Sequence, residues 1–200
     1  PVVLFHAGVA GAAGGFVGVD VFFVLSGYLI TTIIAEDLSR KRFSLRRFYE
    51  RRFRRIFPAL FAVTLVSSVA AWWLMLPFDL REYGKSVIGV ALFVSNYIFY
   101  RETGYFQTSS ENLPLLHTWS LGVEEQFYLM MPALLMLVAS LALRRALPLV
   151  AVLFMISLVA CISTQPARPD LAFYSIHTRA WELLAGSLCA LWLLDRPQRS

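Results

Sequence analysis

The segment that most constrains this chain is FPALFAVTLVSSVAAWWLML, residues 57–76, which carries no charge at all. About 20 mostly apolar residues are what a helix needs to cross roughly 30 Å of hydrocarbon. Further apolar runs lie at 16–35, 86–100, 123–143, 147–163 and 180–194. Pro58 stands near the start of its run, where a missing N–H is harmless, and Trp72 and Trp73 suit the opposite interface. The run at 86–100 is short and holds Asn96, so shielding by neighbours or a small tilt is expected. Pro132 predicts a kink, tolerated where other groups satisfy the freed carbonyl. The expected fold is therefore all-α: a polytopic transmembrane helix bundle of about six spans, preceded by the end of a truncated first helix.

Composition agrees. The chain is 58% hydrophobic and only 16% charged, against about 25% charged in a globular domain. That excludes a soluble domain, a disordered segment, collagen and a nucleic-acid arm. Both cysteines, Cys161 and Cys189, sit inside apolar runs, which argues against a disulfide scaffold. The opening Pro1-Val2-Val3-Leu4-Phe5 has no basic region before it and reads as a helix tail whose beginning is missing. Residues 1–195 are expected to form one membrane domain incomplete at both ends, and 196–200 the start of the following loop.

Nine of the eighteen basic residues fall between Arg40 and Arg55. A basic loop over 36–56 is cytoplasmic by the positive-inside rule, so the run at 16–35 enters from outside and that at 57–76 returns. Simple alternation then places Arg144 and Arg145 outside, against the rule. Either those charges are tolerated or one short run is re-entrant and shifts the parity; both remain open. The basic segment can serve as an anchor on anionic lipid, worth about 1 kcal/mol per charge. Alternatively, FYERRFRRIFP, with Arg51, Arg52, Arg54 and Arg55 beside Phe48, Tyr49, Phe53 and Phe57, suits bidentate phosphate binding.

Charges at membrane depth cost roughly 2.5–3.5 kcal/mol each, so each one calls for a reason. Asp20 shares a helical face with Phe23, Gly27 and Thr31, and Gly27 would let another helix approach closely. Asp20 is alternatively an interfacial carboxylate at its own helix start. His6, in VVLFHAG, is suited to general base work near neutral pH, although a lone histidine at a helix end is more often structural. In LLHTWSLGVEEQFYLMMP, residues His117, Ser120, Glu124 and Tyr128 (or Phe127) form one polar stripe, with Trp119 beside it. Glu125 points about 100° away and reads as a wall or surface charge. Glu182 reads as a helix-start charge paired with Arg179. No phosphate loop, CxxC, HExxH or GxSxG motif is present, and no ligand spacing supports a metal.

Five segments in order, VVLFHAG, GGFVGVDVFFVLSGYLIT, FYERRFRRIFPAL, NLPLLHTWSLGVEEQFYL and FYSIHTRAWELLAGSLCAL, resemble the integral-membrane acyltransferase family 3, which includes polysaccharide O-acetyltransferases. The resemblance covers essentially the whole chain. It implies about ten spans in the whole protein and transfer of an acyl group, usually acetyl, from cytosolic acyl-CoA to a sugar hydroxyl of a polysaccharide or lipid-linked glycan, across the bacterial inner membrane. It implies no bound cofactor and no nucleic-acid partner; a C-terminal soluble esterase-like domain accompanies some members. His6 matches the family's catalytic histidine, Arg52 and Arg55 its RxxR motif with Arg51 adjacent, and Phe22, Phe23, Ser26 and Gly27 its FFxxSG motif. Glu124 and Tyr128 match the acidic and aromatic positions after Trp119-Ser120. The family's basic residue eleven positions before the histidine falls outside the sequence, so this piece alone is expected to be inactive.

Two mechanistic assignments stay open at this stage. His6 is either a general base or a transient acyl carrier, and either Asp20 or Glu124 orients its imidazole. A transporter or flippase using His6, Asp20 and Glu124 as a proton or substrate path is the alternative from another class.

Overall fold

The computed structural model describes residues 14–105, 114–139 and 146–195. After a 3-10 turn at Gly15–Val17 come α1 (Gly18–Ser39), α2 (Leu45–Leu74), α3 (Pro77–Ala91) and α4 (Ser95–Tyr105). They are followed by α5 (Thr118–Ala139), α6 (Ala146–Thr164), the short α7 (Pro169–Tyr174) and α8 (Ile176–Asp195). Among the described residues there is no strand, and α1, α2, α5 and α6 are long and apolar enough to cross a membrane. The chain is an all-α membrane helix bundle. The apolar run at 180–194 belongs to α8, whose first turns carry Arg179 and Glu182.

Two expectations need correcting. The run at 86–100 is not one helix: α3 ends at Ala91, and Phe93 takes a left-handed φ of 55° before α4 begins at Ser95. With 15 and 11 residues, α3 and α4 measure about 22 and 16 Å, too short to span. The cause is polar and tertiary, so hydropathy does not register it. Asn96 is fully buried and donates to the Tyr174 carbonyl at 2.9 Å. Gln126 donates both to Asn96 Oδ1 at 2.9 Å and to the Phe93 carbonyl at 2.8 Å. Ser95 Oγ donates to the Thr118 carbonyl at 2.9 Å. These bonds, at about 1 kcal/mol net each, offset the left-handed backbone at Phe93, which costs about 1–2 kcal/mol.

The segment 36–56 is also mostly helix rather than loop. Its first residues end α1, and from Leu45 onward it forms the opening turns of α2, so Pro58 lies in that helix's interior instead of at its start. Leu, Arg and Glu are good helix formers, and Arg54 pairs with Glu50 at 2.7 Å across one turn. Reading the charges as a loop overlooked this propensity. Beyond its first turns α2 exposes Phe61, Val66, Trp72 and Trp73, an apolar surface suited to lipid or to further helices.

The centre of the bundle is the crossing of α1 and α8. A Cβ on Gly27 would lie 1.8 Å from the Leu183 carbonyl oxygen, and one on Gly186 would lie 1.9 Å from that of Val24. Only glycine permits this backbone-to-backbone contact, as the sequence led us to expect for Gly27. Thr31 Oγ1 donates to Ser187 Oγ at 2.8 Å beside it. Phe23 and Thr31, which share the face of Asp20 and Gly27, are both fully buried.

Helix direction follows from matched contacts. Asp20 meets Arg179 and Thr31 meets Ser187, while Phe23 meets Trp119 and Ser26 meets Glu124. Residue numbers rise together in every pair, so α1, α5 and α8 run parallel. All three therefore end at the bundle end where Arg40–Arg55 lie. Because α3 and α4 are short, they supply the parity change that simple alternation lacked. Arg144 and Arg145 lie outside the described residues.

Candidate functional site

The first polar cluster gathers at the middle of α1. Ser26 Oγ donates to Glu124 Oε1 at 2.5 Å, and the Tyr128 hydroxyl donates to the same oxygen. Glu124 and Tyr128 are one turn apart on α5 and so share a face; with Ser26, all three side chains are buried. Arg52 of α2 completes the group, its guanidinium 3.6 Å from the centre of the Tyr128 ring, a cation–π contact worth about 1–2 kcal/mol when desolvated. Tyr49, one turn earlier, fastens α2 to α5 by donating to the Leu129 carbonyl at 3.1 Å. Arg52 Nε and Glu125 Oε1 are both buried without a hydrogen-bond partner among the described residues. A carboxylate that accepts from two hydroxyls is fixed in orientation, and can in turn orient a donor placed beside it.

The second cluster lies at the start of α1. Arg179 Nη2 donates to Asp20 Oδ1 at 2.5 Å, and its Nη1 lies 3.0 Å from Glu182 Oε1. Its side chain is 13% exposed and that of Glu182 only 1%. The guanidinium also sits 5.6, 5.7 and 5.6 Å from the ring centres of Phe23, Trp119 and Phe173. One fixed cation therefore serves two carboxylates. Pairing of this kind is what makes buried charge tolerable.

The clusters are neighbours along α1. Ser26 is six residues beyond Asp20, about 9 Å along the axis. The edge-to-face pair Phe23–Trp119, with centres 6.1 Å apart, lies between them. From the basic end inward the sequence of groups is Arg52, Tyr128, Glu124 and Ser26, then the aromatic pair, then Arg179 with Asp20 and Glu182. Among the described residues no three His, Cys, Asp or Glu side chains are placed to hold a metal ion.

Residues 2–200 match the family described as an acyltransferase domain. The chain belongs to the integral-membrane acyltransferase family 3. It is 34% identical to the peptidoglycan O-acetyltransferase OatA of Listeria monocytogenes, over 98% of this chain and 32% of that protein. It is 31% identical to the O-acetyltransferase OatA of Staphylococcus aureus, over 96% of this chain and 32% of that protein. A Haemophilus influenzae protein with no stated function is 36% identical over 86% of this chain and 74% of its own length. The chain thus spans about a third of the length of each of these two O-acetyltransferases. No solved structure matches it.

The fold distributes the family motifs unevenly. Of the FFxxSG residues, Phe23, Ser26 and Gly27 turn inward and Phe22 outward. Of the arginines, Arg52 reaches the Tyr128 ring, exposed Arg51 stands 3.6 Å from half-buried Asp37, and Arg55 is exposed. The stripe on α5 divides: Glu124 and Tyr128 point inward, whereas Ser120 Oγ caps the His117 carbonyl at 3.3 Å at the helix start. Glu125 is no surface charge, since its Oε1 is buried. His6 lies outside the described residues. The partnership of Arg179 with Glu182 was readable from its i, i+3 spacing, but its stronger contact with Asp20 was not, because 159 residues separate the two.

Proposed function

We propose that this chain forms part of a membrane O-acyltransferase of the bacterial inner membrane. It moves an acyl group, acetyl in the first instance, from cytosolic acyl-CoA to a hydroxyl of a cell-surface or exported polysaccharide or its lipid-linked precursor. Family membership and the names of the OatA relatives support acetyl transfer to glycan. The observation that carries the reading is the file of polar and aromatic side chains along α1, from Arg52 at the basic end to Asp20 at the other. Asp20 and Arg40 are 20 residues apart, about 30 Å of helix, which is the thickness of the hydrocarbon layer.

In this reading the basic end faces the cytosol by the positive-inside rule. Exposed Arg51 and Arg55 hold the phosphates of the donor, and Arg52, held over Tyr128, joins that mouth to Glu124. His6, assigned from the sequence, takes the proton of the acceptor hydroxyl as its oxygen attacks the thioester carbonyl. The C–S bond breaks, and the departing thiolate receives a proton. Alternatively the imidazole carries the acyl group between donor and acceptor. Its orienting carboxylate is Asp20 or Glu124, and separate Asp20→Asn and Glu124→Gln substitutions tell them apart. A C-terminal soluble domain in the whole protein fits the greater length of the OatA relatives.

The test uses membranes carrying the whole protein, incubated with radiolabelled acetyl-CoA. Label should appear on glycan, disappear with His6→Ala at normal expression and insertion, and require more acetyl-CoA for half-maximal rate with Arg52→Ala. The broken helix pair α3–α4 is the one feature that favours a transporter. Glycan translocation without label would establish that second reading instead.

A further inference from the structure

Between the end of α6 and the start of α8 lies a cavity of about 350 Å³, lined in part by Gln165, Asp170, Phe173 and Arg179. It adjoins the Asp20 end of α1 through Arg179, which contacts Asp20 directly. Gln165, Asp170 and Phe173 are exposed, so the cavity opens to the surface. Small-molecule sites run from about 300 to 1,000 Å³, and this one accommodates about one or two sugar rings.

Its chemistry restricts the occupant. Phe173 is 45% exposed, and its ring packs beside that of Trp119 with centres 4.5 Å apart. Gln165 offers both donor and acceptor, and Asp170 is an acceptor. Arg179 adds little positive potential, because Asp20 and Glu182 already flank it. Three carboxylates against one guanidinium disfavour a phosphate or any other anion. A further cation is opposed by the guanidinium of Arg179, which already pairs with Asp20 and Glu182 and lies near Phe23, Trp119 and Phe173. What remains is a neutral ring that can lie on an aromatic face and exchange hydroxyl hydrogen bonds around its rim.

We infer that this cavity is the subsite for a neutral, hydroxyl-rich sugar ring of the acceptor, held on Phe173 and hydrogen-bonded by Gln165 and Asp170. The inference rests on the acyl-transfer reading for its purpose, but saccharide binding can be measured without any transfer.

The experiment places the whole protein in nanodiscs and titrates it with N-acetylglucosamine trisaccharide and with cellotriose. Glycerol 3-phosphate and choline serve as anionic and cationic competitors, and acetyl-CoA binding and acetyl transfer are scored in the same preparations. A trisaccharide should bind and should weaken by about tenfold with Phe173→Ala and with Gln165→Ala, while acetyl-CoA affinity stays unchanged. Gln165 is exposed, so its substitution separates recognition from folding. Unchanged saccharide binding in both variants, displacement by either charged competitor, or no saccharide binding at all overturns the assignment. Transfer that persists without an effect of these substitutions leaves the transferase standing and removes the subsite. Saccharide binding that depends on Phe173 and Gln165 in a protein without transfer does the reverse.

Discussion

At Ser26 a carboxylate accepts from two hydroxyls, whereas six residues away, at Asp20, a guanidinium is flanked by two carboxylates. The first arrangement contains hydroxyl protons held on a carboxylate: Ser26 and Tyr128 both donate to Glu124 Oε1. The second contains guanidinium protons, which arginine does not give up in proteins. Its ion pairs fix α1 to α8 and orient Trp119 and Phe173. The difference teaches where chemistry and where construction reside. In the proposed reading Glu124 belongs to the chemistry, and Arg179 to the frame that joins α1 to α8.

The severest way to break the comparison is to separate the helices that carry both clusters. Gly27→Leu places its Cβ inside the Leu183 carbonyl, and more than about 4 kcal/mol of destabilisation is expected. Thermal unfolding in detergent should show both clusters lost together. Arg179→Leu strands two carboxylates, and removing one partner of a buried pair costs about 3–5 kcal/mol; unfolding at graded denaturant measures it. Arg179→Lys should recover only part of that loss, because an ammonium cannot reproduce the planar fork.

Glu124→Gln sharpens the contrast. The amide keeps the shape, so stability should change by only about 1–2 kcal/mol, while acetyl transfer falls by about 100-fold or more. A parallel loss of both would reduce Glu124 to a structural acceptor. The smallest effect belongs to Arg55→Ala, an exposed change that should leave stability within about 0.5 kcal/mol and raise only the KM for acetyl-CoA.

Much of this was legible one helix at a time. The face Asp20, Phe23, Gly27 and Thr31 follows from 100° per residue, and it is the face that meets α8. Glu124 and Tyr128 fall on one stripe for the same reason. What a single strip of sequence does not carry is which stripe meets which. Ser26 finds Glu124 across 98 residues, and Asp20 finds Arg179 across 159. The same blindness joined α3 and α4 into one span, since the turn at Phe93 is made by Gln126 and Asn96 rather than by a local breaker. Charge misled in the opposite sense, hiding a helix in Leu45–Phe57 because arginines that favour a loop by their charge favour a helix by their propensity.

In the proposed mechanism, donor and acceptor meet this protein at opposite ends of α1. Sealed vesicles bearing the whole protein in a known orientation test it, with radiolabelled acetyl-CoA confined to one side and glycan to the other. Label should reach the glycan only when acetyl-CoA is on the side of Arg51, Arg52 and Arg55. Transfer that requires both substrates on one side, or that is indifferent to the side of acetyl-CoA, would rule out this two-sided arrangement.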